Sequence, residues 1–302
     1  MKKKPKLIAI VGPTASGKSD LAVMLARQFN GEVISADSRQ VYRGLDIGTG
    51  KITKREMKGA PHHLLDVASP KKIFSVAQYK RKADKIITDI VKRGKLPILV
   101  GGTGFYIQAV TEGLVLPEVK PNPSLRAKLT NMSPSELFLI LKKKDPKRAQ
   151  TIDSKNPHRL IRAIEIAEAL GKVPVLNKKT PYDTLFIGID LPRPLLRERI
   201  GKRLTKRMKA GMLKEARKLH IEGLSFRRME ELGLEYRFLA RYLQKKITKK
   251  VMLLELEKEI FSYAKRQMTW FKRNKAIHWI SLTDQQTPRE ASSDFLKKFL
   301  TQ

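Results

Sequence analysis

The chain has 302 residues, 41% of them hydrophobic, so it can bury a large core in one domain, or in one domain carrying an insertion. It contains no Cys, which excludes disulfides, thiolate metal sites and a thiol nucleophile, and favours a cytoplasmic protein. No run approaches the roughly 18 apolar residues of a membrane span, and the first residues, MKKKPK, lack the apolar segment of a signal peptide.

The net charge of +34 is far larger than solubility requires, and it is unevenly distributed. Residues 193 to 273 hold 24 basic and 9 acidic side chains, and residues 116 to 180 hold 14 and 6. Such positive fields collect polyanions, of which nucleic acid is the commonest large one. Lysine-rich helices that only solvate their surfaces would give a similar excess, so charge alone leaves both interpretations open.

The first predicted strand, KLIAIVG, ends in a loop that precedes a predicted helix from Lys18 to Phe29. The loop satisfies the pattern G-x-x-x-x-G-K-[ST] of a P-loop, in the context of strand and helix that this motif requires. Its residues are Gly12, Pro13, Thr14, Ala15, Ser16, Gly17, Lys18 and Ser19. Backbone amides and Lys18 would cradle phosphate there, and Ser19 could bind Mg²⁺. The motif leaves open whether that phosphate belongs to ATP, GTP or a diphosphate ester.

The second predicted strand, EVISAD, ends at Asp37. We expect this strand to neighbour the P-loop strand, so that Asp37 faces the phosphate cradle in the crevice where open α/β sheets bind ligands. Asp37 and Ser38 also precede the segment RQVYRGL and could cap a helix there, and the two roles are compatible.

The next segments continue the alternation of strands and helices. HLLDVA and PILVGG predict strands, and helices are expected from Ser75 to Arg93 and from Gly104 to Glu112. The stretch VGGTGFY brings a glycine-rich turn and the Thr103 hydroxyl to the same sheet edge as the first two motifs. This alternation predicts a parallel sheet covered by helices.

Prolines at positions 117, 121 and 123 mark a change to helical periodicity. We therefore predict a mainly helical insertion domain at residues 116–180, within a catalytic core formed by residues 1–115 and 181–302. A strand from Thr184 to Asp190 would return the chain to the sheet. Long helices are expected from Pro194 to Leu219 and from Lys249 to Arg273. The second has a core-facing stripe of Leu253, Leu256, Ile260, Ala264, Met268 and Phe271.

Six segments in this order resemble the tRNA dimethylallyltransferase family, also called tRNA isopentenyltransferases. They are GPTASGKS, DSRQVYRGLDIGTGK, PHHLLD, LVGGTGFY, NPHRLIRAIEI and RQMTWFKR. The resemblance implies a P-loop NTPase-like α/β core with a helical insertion that binds the anticodon stem-loop, followed by C-terminal helices. It implies transfer of a dimethylallyl group from dimethylallyl diphosphate to N6 of the adenosine 3′ of the anticodon, in tRNAs reading codons that begin with U. A monomer with Mg²⁺ as cofactor and no membrane partner is expected.

Matching positions in the family imply roles for individual residues. Asp37 corresponds to the base that removes the N6 proton, Thr14 lies near the reacting centre, and Arg203 binds diphosphate. The family's tRNA contacts match Asp37, Ser38, Arg39, Gln40, Thr103, Arg126, His158, Arg159, Leu160, Ile161 and Arg162. The segment RRMEELGLEYRFL departs from the family's Gly-Tyr-Lys-Glu element, because Leu234 and Glu235 stand between Gly233 and Tyr236. Contacts around Arg227, Arg228 and Arg237 are therefore left open.

Two other classes of function fit parts of the sequence. A nucleotide or small-molecule kinase would also use the P-loop and Asp37, but the basic segment after residue 193 and the lack of an evident second ATP-handling motif speak against it. A non-catalytic RNA-binding protein with a relic P-loop would not need Lys18, Ser19 and Asp37 together. Phosphoryl transfer from ATP would favour the kinase, and RNA binding without turnover would favour the binding protein.

Overall fold

The structure is a computed structural model that describes residues 3–175, 179–281 and 293–301. The chain divides into two compact units, one formed by residues 1–113 and 180–302 and the other by residues 114–179. Parts of both predicted domains, residues 1–2, 176–178, 282–292 and 302, lie outside the described residues. Within the described ranges, no helix is long and apolar enough to cross a membrane.

The first unit is built on one six-stranded parallel sheet with helices around it. Its strands are β1 (Lys6–Val11), β2 (Gly31–Ser35), β3 (His62–His63), β4 (Leu96–Gly101), β5 (Asp183–Asp190) and β6 (Ile277–Ser281). The strand order is β3-β2-β4-β1-β5-β6, and every pairing is parallel. The predicted α/β class is therefore confirmed.

The helices are divided between the two units. They are α1 (Lys18–Gln28), α2 (Lys54–Met57), α3 (Val76–Lys92), α4 (Gly104–Thr111), α5 (Pro123–Leu129), α6 (Pro134–Lys144), α7 (Pro146–Thr151), α8 (Pro157–Leu170), α9 (Arg193–Lys209), α10 (Met212–Ile221), α11 (Phe226–Leu232), α12 (Leu234–Leu243), α13 (Lys249–Phe271) and α14 (Ser293–Thr301). Helices α5 to α8 form the second unit around its own core, which includes Leu137, Leu141, Leu160 and Ile164.

The sheet corrects the expected position of the Asp37 strand. β2 does not neighbour the P-loop strand β1, because β4 lies between them. Both strands still end at the same edge, since all strands run parallel. The β4 turn therefore lies between the two loops that carry the phosphate cradle and Asp37.

Two expected elements differ from those observed, and one observed strand was not expected. Of HLLDVA only the first residue belongs to a strand, because Leu64 and Asp66 have positive φ angles of 63° and 58°, which bend the chain out of the sheet. The helix expected from Pro194 to Leu219 is split into α9 and α10, since Gly211 has a φ of 101°. β6 had no predicted counterpart. It closes one edge of the sheet against β5.

The core-facing stripe of the long helix α13 agrees with the expected one at Leu256, Ile260, Ala264 and Phe271, and differs at two positions. Its buried residues are Met252, Leu256, Ile260, Ala264, Gln267 and Phe271. Leu253 and Met268, expected in the core, are only partly buried. The stripe thus contains a polar residue, Gln267, that apolar periodicity cannot reveal.

Candidate active site at the carboxyl edge of the sheet

The P-loop connects β1 to α1 through a backbone that only small residues accommodate. Gly12, Ala15 and Gly17 all have positive φ angles, and a Cβ on Gly12 would lie 2.8 Å from the Ile189 carbonyl oxygen of β5. No side chain caps the N-terminus of α1, which begins directly after Gly17. The Ser16 hydroxyl is fully buried and has no hydrogen-bond partner among the described residues. This loop has the conformation and the unsatisfied donors of an anion site.

Lys18 contributes a charge whose proton is weakly held. Its Nζ donates to the Pro13 carbonyl oxygen at 2.6 Å, so the side chain folds back over the loop. Burial lowers the pKa of Lys18 to about 8, the charge of Arg203 adds to this effect, and the carboxylate of Asp37 opposes it. Among the described residues Lys18 forms no ion pair with a carboxylate, and its charge is therefore available to an anionic ligand.

Asp37 follows β2 and organises a turn rather than a helix. Its Oδ1 accepts hydrogen bonds from the backbone amides of Arg39, at 2.8 Å, and of Gln40, at 3.3 Å. Within the described chain Oδ2 has no hydrogen-bond partner. The side chain thus uses one oxygen to fix its own position, as a cap would, and leaves the other free to accept a proton.

The turn after β4 contacts the loop that carries Asp37. The Ser38 amide donates to Thr103 Oγ1 at 2.9 Å, and the Thr103 amide donates to the Ala36 carbonyl oxygen at 3.1 Å. A Cβ on Gly101 would lie 2.1 Å from the same Ala36 oxygen. Thr103, predicted as a tRNA contact, therefore also holds the turn that carries Asp37.

Gln267 of α13 joins this turn to the P-loop. Its Oε1 accepts from the Thr14 amide at 2.8 Å, and its Nε2 donates to the Gly102 carbonyl oxygen at 2.9 Å. The side chain is only 6% exposed, so both hydrogen bonds lie in the interior. Gln267, which the sequence analysis missed, therefore fixes the backbone of Thr14, the residue predicted near the reacting centre.

Arg203 reaches the same region from α9. Its Nη2 donates to the Gly50 carbonyl oxygen at 3.1 Å, an oxygen that also accepts from Gln40 Nε2 at 3.4 Å. Burial and the neighbouring charge of Arg207 together lower the pKa of Arg203 to about 10, against the opposing effects of Glu235 and Asp37. No carboxylate of the described residues lies within ion-pair distance of Arg203.

These side chains line one cleft of about 70 Å³. Its walls are Thr14, Lys18, Ser19, Ser35, Asp37, Gln40, Thr49, Ile52, His62, Leu65, Val100, Gly101, Gly102, Arg203, Tyr263 and Gln267. The cleft combines two cations that lack acidic partners, one carboxylate and the open P-loop. It can hold a diphosphate and present a base beside it.

The predicted tRNA contacts that lie in the second unit differ in how exposed they are. His158 and Arg159 are exposed at the start of α8. Leu160 is fully buried and Ile161 is 9% exposed, and both pack in the core of the unit. Their side chains therefore have a structural role in this unit, and their contact with tRNA stays a prediction.

Two further arginines of this unit surround one buried carboxylate. Arg126 binds Glu165 with two hydrogen bonds, Nε to Oε1 at 2.7 Å and Nη2 to Oε2 at 2.8 Å, and Arg162 Nη1 lies 3.2 Å from Oε2. Arg162 also donates to the Val119 carbonyl oxygen at 2.8 Å. Burial would raise the pKa of Glu165, but the hydrogen bonds, mainly from Arg126, outweigh it and lower the pKa. Arg126 and Arg162 therefore have a structural role besides any RNA contact.

The arginines that the sequence left open lie on α11 and α12. Arg228 donates to the carbonyl oxygens of Pro70 and Lys72 and to the Tyr42 hydroxyl, so it joins α11 to the loop between β3 and α3. Arg227 is largely exposed and pairs with Glu231, and Arg237 is partly exposed and pairs with Glu230. Arg227 is thus the most accessible of the three.

Comparisons with known proteins show to which family the chain belongs. The family model for IPP transferase matches residues 40–274. "tRNA dimethylallyltransferase 1" of Geotalea daltonii is 45% identical over 280 residues, which cover 91% of this chain and 90% of that protein. The tRNA dimethylallyltransferase of Halalkalibacterium halodurans is 40% identical over 292 residues, or 93% of this chain and 92% of that protein.

Solved structures give the same result. The full-length tRNA isopentenylpyrophosphate transferase of Bacillus halodurans matches with a TM-score of 0.76 and 39% identity, covering 99% of this chain and 97% of that one. A eukaryotic dimethylallyltransferase described as acting on tRNA matches with a TM-score of 0.81 and 26% identity, covering 98% and 80%. Since the family model spans most of the chain and the relatives align along about nine-tenths of it, the chain belongs to the IPP transferase family, whose members are named tRNA dimethylallyltransferases.

Proposed function

We propose that the protein transfers a dimethylallyl group from dimethylallyl diphosphate to N6 of an adenosine in tRNA, and releases diphosphate. The observation that carries this proposal is the cleft itself, in which Lys18, Arg203 and the P-loop face Asp37. An anion site beside a single carboxylate suits a reaction in which a diphosphate leaves while a proton is removed. The names and high coverage of the relatives support the same reaction.

The diphosphate end of the substrate would bind in the P-loop. As the bond between the allylic carbon and the diphosphate oxygen breaks, negative charge grows on the diphosphate. Lys18 and Arg203 are donors that already line this cleft, and neither has an acidic partner among the described residues. Charge stabilisation by preorganised donors requires little rearrangement during the reaction.

The adenine N6 is a poor nucleophile because its lone pair is delocalised into the ring. Asp37 would accept the N6 proton on Oδ2 as the bond from N6 to the allylic carbon forms. The hydrogen bonds from the amides of Arg39 and Gln40 to Oδ1 hold the carboxylate in place for this transfer. A stacked adenine cannot enter the cleft, so the base would be flipped out and read there, with Gln40 offering an amide donor and acceptor.

We propose Mg²⁺ as the cofactor, with Ser19 as the protein ligand. Ser19 is the second residue of α1 and lines the cleft together with Asp37, and the described residues hold no cluster of three or more acidic or imidazole ligands. This small donor set fits Mg²⁺, which keeps several waters and binds through one or two protein groups and substrate phosphates. When bound, the ion would neutralise charge on the departing diphosphate.

We propose that the second unit binds the anticodon stem-loop, and that the target is the adenosine 3′ of the anticodon in tRNAs reading codons that begin with U. The positive charge of residues 116–180 and the exposure of His158 and Arg159 support phosphate binding by this unit. The cytoplasmic location and the monomeric state stay predictions.

The test is a direct assay for the modified base. The protein is incubated with dimethylallyl diphosphate, Mg²⁺ and unmodified tRNA, and the digested nucleosides are analysed by mass. We expect one isopentenyl unit to be added to adenosine in tRNAs that carry adenosine 3′ of the anticodon, and none when that base is replaced by guanosine. Phosphoryl transfer from ATP to nucleosides in a parallel reaction, with no gain on adenosine, would replace the proposal with a kinase.

A further inference from the structure

The loop of residues 46–50, here the 46–50 loop, forms one wall of the cleft and is bound by a carboxylate from outside it. The Glu215 carboxylate of α10 accepts hydrogen bonds from three successive backbone amides. Oε2 accepts from Asp46 at 3.0 Å and from Ile47 at 2.7 Å, and Oε1 accepts from Gly48 at 2.9 Å. A single side chain therefore fixes the orientation of three consecutive peptide groups.

The other side of the 46–50 loop is bound by two arginines of α9. Arg207 donates to the carbonyl oxygens of Gly48 and Thr49, at 3.2 and 3.3 Å, and Arg203 donates to that of Gly50 at 3.1 Å. Gly50 has a φ of 59°, and a Cβ there would lie 2.3 Å from Arg203 Nη2. The loop thus presents its amides to an anion and its carbonyl groups to cations, and it lies in direct contact with the guanidinium that faces the cleft.

Residues of the segment that departs from the family pattern complete this arrangement. Tyr236 is buried, and its hydroxyl donates to Glu215 Oε1 at 2.7 Å. Burial raises the pKa of Tyr236, as does the adjacent charge of Glu215, so the hydroxyl remains a donor. Glu235 binds Arg207 Nη1 at 2.8 Å. Tyr236 and Glu235 of α12 therefore bind Glu215 and Arg207, two of the side chains that fix the 46–50 loop.

We infer that Glu215 is a positioning residue that sets the place of Arg203 in the cleft through the 46–50 loop, with Tyr236 as its support. This inference rests on the proposed binding of diphosphate by Arg203. The Gly50 carbonyl oxygen is the acceptor through which the loop holds the Arg203 guanidinium and the Gln40 amide together. Loss of the carboxylate would free the amides of residues 46 to 48, and the loop would no longer hold Gly50 against Arg203.

We call this action of Glu215 on Arg203 through the 46–50 loop the relay, and a double-mutant cycle tests it. Glu215→Gln keeps the shape of the side chain but removes its charge and turns an amino group toward backbone amides. We expect it to weaken binding of inorganic diphosphate and to raise the KM for dimethylallyl diphosphate by about tenfold, since hydrogen bonds to charged groups are the strong ones. Affinity for tRNA should change less than about twofold. Glu222→Gln, an exposed carboxylate at the end of the same helix, is the matched control and should change neither value.

The decisive arm repeats Glu215→Gln in an Arg203→Ala background. If Glu215 acts through Arg203, its effect on diphosphate binding disappears there, because coupled residues are not additive. An equal fold-change in both backgrounds, or an unchanged diphosphate affinity after Glu215→Gln, would overturn the inference. Tyr236→Phe, which removes one hydroxyl, replaces Glu215→Gln in the cycle if the latter unfolds, and should show a smaller loss in the same direction.

Calorimetric binding of inorganic diphosphate separates this inference from the proposed function. A wild-type protein that binds diphosphate and obeys the cycle but adds nothing to tRNA would overturn the transferase and support the relay. Normal transfer with no coupling between Glu215 and Arg203 would overturn the relay and support the transferase.

Discussion

Asp37 has two oxygens with separate tasks, and this division makes its role testable. Oδ1 is held by backbone amides, and Asn at this position would keep an oxygen there while losing the ability to accept a proton. We expect Asp37→Asn to lower turnover by about 10²- to 10⁴-fold, the usual contribution of a general base. Affinity for tRNA, measured by filter binding, should stay within a few-fold.

The control for this prediction is Asp183→Asn, an exposed carboxylate at the amino end of β5, away from the cleft edge. Its turnover should equal that of the wild type. Near-normal turnover of Asp37→Asn would leave Asp37 only as the residue that fixes its turn.

Lys18 should trade stability for binding. Its pKa is lowered to about 8 from 10.5, so below pH 8 the folded protein holds a charge that burial disfavours. Between these two pH values the unfolded chain binds a proton that the folded chain lacks, and the free energy of unfolding therefore rises with pH. We expect Lys18→Met to raise the Tm at pH 7, and this gain should shrink as the pH rises past 8.

The same variant should lose most of its affinity for inorganic diphosphate at pH 7, measured by calorimetry. A Tm gain that is equal at pH 7 and pH 10 would show that the change improves packing and has no link to the proton. Retained diphosphate affinity would mean that Lys18 does not face the anion.

Gln267 shows how an element far along the chain fixes two loops. Gln267→Leu fills a similar volume but leaves the Thr14 amide and the Gly102 carbonyl oxygen buried without partners. We expect the free energy of unfolding, measured in urea, to fall by about 1 to 3 kcal/mol for this loss. Gln28→Leu, on the exposed end of α1, should change it little. An unchanged stability of Gln267→Leu would show that water or a loop shift satisfies both groups.

Elements formed by local patterns were predictable, and those fixed by distant contacts were not. The P-loop strand and helix agree with their expected bounds almost residue for residue, because apolar runs and glycines are adjacent in sequence. The division at Gly211 depends on one positive φ angle, and the interruption after His63 depends on two. Single-residue conformations of this kind leave no periodic trace.

The candidate site divides in the same way. Motifs identified Lys18, Asp37 and Thr103, which lie in the three loops at the cleft, and the resemblance identified Arg203, which lines the cleft from α9. Gln267, Glu215 and Tyr236 were missed. Their partners lie more than 160 residues away for Gln267 and Glu215, and polar residues inside amphipathic helices resemble ordinary surface residues in a sequence. Leu160 and Ile161 show that a matching motif can also include residues whose side chains pack in the core.

For the molecule as a whole, the charge of +34 predicts binding that depends strongly on salt. If Arg159 meets an RNA phosphate, Arg159→Ala should reduce the slope of log K against log[salt] by about 0.7 to 0.9 and weaken all tRNAs alike, since phosphates carry no sequence. The measurement is a salt titration with a substrate tRNA and one lacking the target adenosine.

Arg159 suits this test better than Arg162, whose loss would also leave Glu165 with fewer partners inside the second unit. Lys92→Ala removes the same charge from the exposed end of α3, at the amino edge of the sheet, and should leave the slope nearly unchanged. An equal effect of both variants would mean that the overall field, rather than a contact at Arg159, attracts the RNA. Loss of discrimination for the target adenosine in Arg159→Ala would show that this residue reads more than phosphate.

The order of strands in the sheet has a consequence for the newly synthesised chain. β1 pairs with β4 on one side and with β5 on the other, and the whole of residues 114–179 is made between those two partners. At roughly 5 to 20 residues per second, β1 waits on the order of 10 s for β5 to leave the ribosome. The second unit is formed by residues 114–179 alone and can fold during that wait. Throughout it, one side of β1 exposes unpaired backbone groups to other chains, so the nascent protein is most vulnerable to aggregation, and most dependent on chaperones, just before residue 190 emerges.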